Sequence, residues 1–72
     1  MQTITITTEF IKLQDLLKFA DITGTGGEAK VLIQDGQVLV DGEPCLQRGR
    51  KIKPGNIVTF HNKNYSVAYA DS

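Results

Sequence analysis

One cysteine, one histidine and a formal net charge of zero are the sparse features of this 72-residue sequence, and each removes a class of function. Cys45 has no second cysteine to bridge to, which excludes a disulfide scaffold and fits a reducing cytoplasm. A lone cysteine and a lone histidine fill a structural zinc site only with carboxylates at suitable positions, and the carboxylates here do not cluster, so no metal is expected. Cys45 and His61 lack a third group to orient them as a nucleophile and base. The eight carboxylates are scattered, with no pair spaced as a general acid and base. No apolar run approaches the roughly 20 residues of a membrane span. The N-terminus alternates threonine and isoleucine where a secretory signal would place a basic stretch and then an apolar one. A chain of this length supports one small core, with a stability of roughly 3–5 kcal/mol. The expectation is one soluble, cytoplasmic domain over residues 1–72, non-catalytic and without a cofactor.

Acidic residues are also missing from a long stretch, and neutrality hides this. Residues 1–43 hold three lysines against seven acids, a net −4. Residues 44–70 hold no acid, while Arg48, Arg50, Lys51, Lys53 and Lys63 contribute +5. A dipolar molecule with one basic region still attracts polyanions.

What is present reads as alternating strand and helix signals. Thr3-Ile4-Thr5-Ile6-Thr7 has the two-residue period of a strand. Leu13, Leu16, Leu17 and Ala20 recur at the spacing of a short helix with Lys12 and Lys18 off the apolar stripe. Thr25 and Glu28 form a capping-box pattern that opens a second helix, burying Ala29, Leu32 and Ile33 and closing at Gly36. Gln37-Val38-Leu39-Val40 and residues 43–46 read as a hairpin around Asp41-Gly42, with Pro44 placing the return strand at a sheet edge. A basic loop covers residues 47–53. After the Pro54-Gly55 turn, Ile57-Val58-Thr59-Phe60 and Tyr65-Ser66-Val67-Ala68-Tyr69 read as two strands joined around residues 61–64. His61 then falls in an exposed turn, Cys45 is a small half-buried strand residue, and Tyr65 and Tyr69 share a face that is expected to be core.

Two nucleotide-binding patterns fail on context. Gly24-x-Gly26-x-x-Ala29 matches the dinucleotide fingerprint in letters, but a helix precedes it where the fingerprint requires a strand. Lys30 stands between Ala29 and Val31, without the glycine and hydroxyl residue of a phosphate-binding P-loop. The stronger feature is Arg48-Gly49-Arg50-Lys51-x-Lys53, four cations in six residues with no acid nearby. Arginine's planar fork suits phosphate oxygens, and Gly49 allows close approach of the backbone. The competing reading is a merely solvated charge run.

Taken in order, the short helix, the turn, the second helix ending Leu32-Ile33-x-x-Gly36, then Val38-x-Val40-Asp41-Gly42 and Lys51-x-Lys53-Pro54-Gly55-x-x-Val58, resemble the RNA-binding domain of small-subunit ribosomal protein four. Leu16, Leu17, Ala29 and Arg50 also carry the likeness, which spans about residues 13–60 and leaves an added strand at each end. The length resembles the stand-alone bacterial versions of the module. The resemblance implies an α+β fold, the alpha-L motif, with two short helices on a small antiparallel sheet of four to five strands. It implies non-catalytic binding of structured RNA, ribosomal RNA or tRNA, by phosphate and shape readout, in ribosome assembly or translation. The implied RNA-binding residues are Lys12 and Lys30 on the helices, Arg48, Arg50, Lys51 and Lys53 in the loop, and Gly26 and Gly27 through free N–H groups at the second helix's start. Two departures stand out: Gly26-Gly27-Glu28 replaces the family's serine-arginine pair, and Asp41 replaces the hairpin asparagine. An alternative is a protein-interaction module of the same fold whose acidic half takes a basic partner, such as a ribosomal or assembly protein. No membrane partner is expected, and the protein is expected to be a monomer.

Overall fold

The computed structural model describes residues 1–24 and 26–70. Thr25, half of the expected capping box, lies outside them, although the Gly24 N–H does reach Glu28 Oε2 at 3.4 Å. Nine elements follow one another among the described residues: β1 (Gln2–Ile6), β2 (Ile11–Lys12), α1 (Leu13–Phe19), α2 (Gly26–Gln34), β3 (Val38–Val40), β4 (Glu43–Pro44), β5 (Lys51–Ile52), β6 (Ile57–Phe60) and β7 (Lys63–Tyr69).

Five strands form one sheet in the order β1-β7-β6-β3-β4, and β2 pairs with β5 in a separate two-stranded ribbon. Within the large sheet the ladders are antiparallel except the one between β1 and β7, which is parallel with Ile4 opposite Val67. The sheet is therefore mixed. Nothing in the local sequence signals this, because the parallel pair joins the two ends of the chain across every other element. Alternation in β1 sends Ile4 and Ile6 into the core and leaves the threonines outside.

The two helices cover the core with the residues their periodicity marks. Leu13, Leu16 and Leu17 of α1 and Ala29 and Ile33 of α2 are fully buried, against Val38, Ile52 and Val58, with Leu32 half-buried beside them. Both helices end in the same way. Gly36 takes a φ of 78°, and the N–H groups of Gly36 and Gln37 donate to the carbonyls of Ile33 and Leu32, the paired bonds of a Schellman cap. At the end of α1 Asp21 takes the same role at a φ of 63°, with Asp21 and Ile22 donating to Lys18 and Leu17.

Four expectations need correction. The return strand of the first hairpin covers only Glu43–Pro44. Its Pro44 does sit at the sheet edge as expected, but Cys45, though buried, is past the strand, with one further N–H bond to the Val38 carbonyl. The 47–53 segment is not all loop, because its Lys51 and Ile52 form β5. Tyr65 is core, but Tyr69, the last residue of β7, is 55% exposed. The join between β6 and β7 is tighter than expected: His61 and Asn62 alone make the turn, with Phe60 paired to Lys63.

Candidate nucleic-acid interface

Helix α1 starts without a capping side chain. Its N-cap is Lys12, which makes no side-chain bond to the helix, although the first N–H groups of any helix need acceptors. The basic segment supplies them. Leu13 N–H donates to the Arg50 carbonyl at 2.9 Å and Gln14 N–H to the Arg48 carbonyl at 3.1 Å. The main chain between Arg48 and Arg50 is thus clamped across the helix start, and the arginine side chains remain exposed.

The ribbon extends this clamp by two residues. Ile11 pairs with Ile52 and Lys12 with Lys51. Side chains directly opposite in an antiparallel ladder share a face. On one face Ile52 is fully buried and Ile11 packs against the core. On the other, Lys12 and Lys51 face solvent as like charges in directly opposed positions, an arrangement that costs stability unless an anion lies between them. The Lys51 ammonium also lies 4.9 Å from the centroid of the Phe10 ring.

Both ends of the basic segment are anchored. At its start the Cys45 thiol contacts the Gln47 carbonyl at 3.7 Å, and Arg50 N–H closes a turn on that same carbonyl at 3.1 Å. At its far end Lys53 N–H donates to Asn56 Oδ1 at 2.7 Å, Asn56 Nδ2 donates to Asp41 Oδ2 at 2.7 Å, and Ile57 N–H donates to Asp41 Oδ1 at 2.9 Å. Asp41, at a φ of 52°, therefore ties the first hairpin to the end of the basic segment. Its carboxylate accepts two bonds where an asparagine amide offers one oxygen, which accounts for the acid in this turn. A Cβ on Gly49 would meet nothing within 4 Å, so no neighbour inside the chain requires glycine there.

Of the residues singled out from sequence, the structure brings together Lys12, Arg48, Arg50 and Lys51 at the start of α1, with Lys53 following at the end of the ribbon, and all five are exposed. Among the described residues no ion pair neutralises any of them. Gly26, Gly27 and Lys30 stand apart on the first turns of α2, which packs on α1, and Lys30 is exposed there. Phe10 and the tie made by Asp41 were not anticipated. The available signals were an aromatic residue two positions before Lys12 and an acid in the hairpin turn. His61 does occupy an exposed turn, 3.0 Å from Gln37 Oε1. The described residues contain no group of three His, Cys, Asp or Glu side chains able to hold a metal, and no helix among them is long and apolar enough to cross a membrane.

Comparison with known proteins places this geometry. A family model described as the S4 domain matches residues 4–68. A Bacillus subtilis (strain 168) protein named "Probable ribosome maturation protein RlbA" is 46% identical over 55 residues, spanning 76% of this chain and 78% of the relative. YbcJ of Escherichia coli (strain K12) is 37% identical over 57 residues, spanning 79% of this chain and 81% of YbcJ. The solution structure of YbcJ from E. coli, which carries an alpha-L motif involved in RNA binding, matches with a TM-score of 0.71 and 33% identity, covering 94% of this chain and 87% of YbcJ.

Proposed function

Because this chain belongs to the S4 domain family and has its alpha-L fold, we propose that it is a small non-catalytic protein that binds structured RNA through phosphate contacts. The observation that carries this reading is the pinned basic ribbon, where Lys12 and Lys51 stand opposed with Arg48, Arg50 and Lys53 beside them and, among the described residues, no carboxylate paired to any of the five. A phosphate between Lys12 and Lys51 turns their mutual repulsion into attraction to a shared anion. Arg48 and Arg50 offer bidentate donors from a backbone already fixed by the helix clamp, so the main chain needs no further ordering on binding. Lys30 and the N–H groups of Gly26 and Gly27 add a second phosphate position at the start of α2.

Contacts of this kind read the shape of folded RNA more than its bases. The reading places the protein in the cytoplasm and in ribosome assembly or translation, with ribosomal RNA as the first RNA to test. The naming of RlbA as a probable ribosome maturation protein supports that choice.

Engagement of four or five phosphates predicts a modest affinity and a shallow salt dependence, with log K against log salt falling at a slope of about −3 to −4. A titration of a folded ribosomal RNA fragment across a salt series measures it. Absence of binding at low salt, or binding that ignores salt, overturns the proposal. Capture of a basic protein partner under the same conditions, unaffected by RNA, points instead to the protein-interaction alternative.

A further inference from the structure

The aromatic ring beside the lysines is half-buried without belonging to the core packing. The half-buried apolar side chains that pack on the core are Ile11, Ala20, Ile22, Leu32 and Phe60, and Phe10 is not among them. Phe10 immediately precedes β2, so the alternation of an extended chain sets it on the side of Lys12, away from Ile11. Its position is held by the Thr8 hydroxyl, which donates to the Phe10 carbonyl at 2.7 Å. The Lys51 ammonium lies over one face of the ring, 4.9 Å from its centroid. Lysine is a long, flexible and strongly hydrated side chain, so this cover is exchangeable in a way that core packing is not.

Resting on the RNA-binding reading above, we infer that Phe10 is a stacking platform for one unpaired base, and that the RNA recognised is a duplex interrupted by a bulge or flanked by a loop. Paired bases in an A-form helix already stack on their neighbours and offer no free face, whereas unpaired bases stack readily on aromatic side chains. The ribbon supplies both halves of such a site. When a backbone phosphate draws Lys51 toward Lys12, the ammonium leaves the ring and the exposed face accepts the base. Lys51 thus covers the aromatic face in the free protein and holds phosphate in the complex.

The test compares two RNA hairpins that differ only by a single unpaired nucleotide in the stem. Wild-type protein is expected to bind the bulged hairpin more tightly, and Phe10→Leu to lower that affinity about tenfold while leaving the fully paired hairpin and the salt slope unchanged. The chain has no tryptophan, so Phe10→Trp introduces a sole indole that retains affinity and whose emission is quenched by the bulged hairpin and not by the paired one. Thermal unfolding of both variants checks that they fold as the wild type does. If wild type binds both hairpins and Phe10→Leu changes neither, or changes both equally, the stacking inference is wrong and RNA binding stands. If wild type binds neither, both readings fall.

Discussion

Replacing Arg48, Arg50 and Lys51 together with alanine is expected to lower the affinity for folded RNA by about a hundredfold and to flatten the salt slope to about −1. Each charge-assisted bond to phosphate at an exposed site contributes about 1 kcal/mol, so three contribute about 3 kcal/mol. Each phosphate that is no longer neutralised also takes about 0.9 off the slope. The fold is expected to be indifferent, for a reason specific to this structure: α1 is capped by the main-chain carbonyls of Arg48 and Arg50, which alanine retains. Removing Lys51 also relieves its repulsion with Lys12. The variant's melting temperature should therefore match or slightly exceed that of the wild type. Salt titrations beside thermal melts separate the two effects, and a slope unchanged by the triple substitution would place the RNA on another surface.

The second large effect falls on stability and comes from a residue with no direct role in binding. Asp41→Ala removes the acceptors for Asn56 Nδ2 and the Ile57 N–H and puts a Cβ-bearing residue without a local hydrogen bond at a φ of 52°. Two exposed hydrogen bonds contribute about 0.5–1 kcal/mol each, and the left-handed backbone costs alanine about 1 kcal/mol. A loss of about 2 kcal/mol lowers the melting temperature of a domain this size by about 10 °C. Asp41→Gly keeps the backbone conformation and loses only the two bonds, so its loss should be about half. Asp41→Asn retains one acceptor but turns a second NH₂ toward that of Asn56, and should fall between Asp41→Gly and wild type. Melting curves for the three variants test this order, and an Asp41→Ala protein within about 2 °C of wild type would refute the tie between the hairpin and the basic segment.

The periodic parts of this molecule were legible in its sequence. Leucines at helical spacing marked α1, alternating threonine and isoleucine marked β1, Gly36 marked a left-handed helix end, and Asp41-Gly42 marked a turn in which both residues do take positive φ. The family resemblance, carried by the order of these elements, agrees with the family model and with the fold of YbcJ. Features formed by few residues were not legible. β2 and β5 are two residues long, too short for any period, and they pair Ile11 with Ile52, 41 positions apart in the chain. Asp21 ends α1 as a glycine would, without a glycine to announce it. Tyr69 has the parity of a core residue but is the exposed last residue of its strand.

The same distinction applies to the candidate site. Charge density alone singled out Arg48, Arg50, Lys51 and Lys53 and left open whether they formed a solvated run or a built surface. The difference lies in the backbone. Carbonyls of the basic segment cap a helix that has no side-chain cap, and its isoleucine is fully buried, so cations that looked like loop residues are held against α1 beside Lys12. Lys30, Gly26 and Gly27 were singled out by the resemblance, and the structure sets them on the neighbouring helix.

The most direct test of the basic ribbon as the RNA-facing surface is an amide chemical-shift titration of the labelled protein with a folded ribosomal RNA hairpin at low salt. The largest changes should fall on residues 10–14 and 47–53, with a second group at residues 26–30, and should fade together as salt is raised. Changes confined to β1 and β7, with the ribbon and the start of α1 silent, would contradict the account.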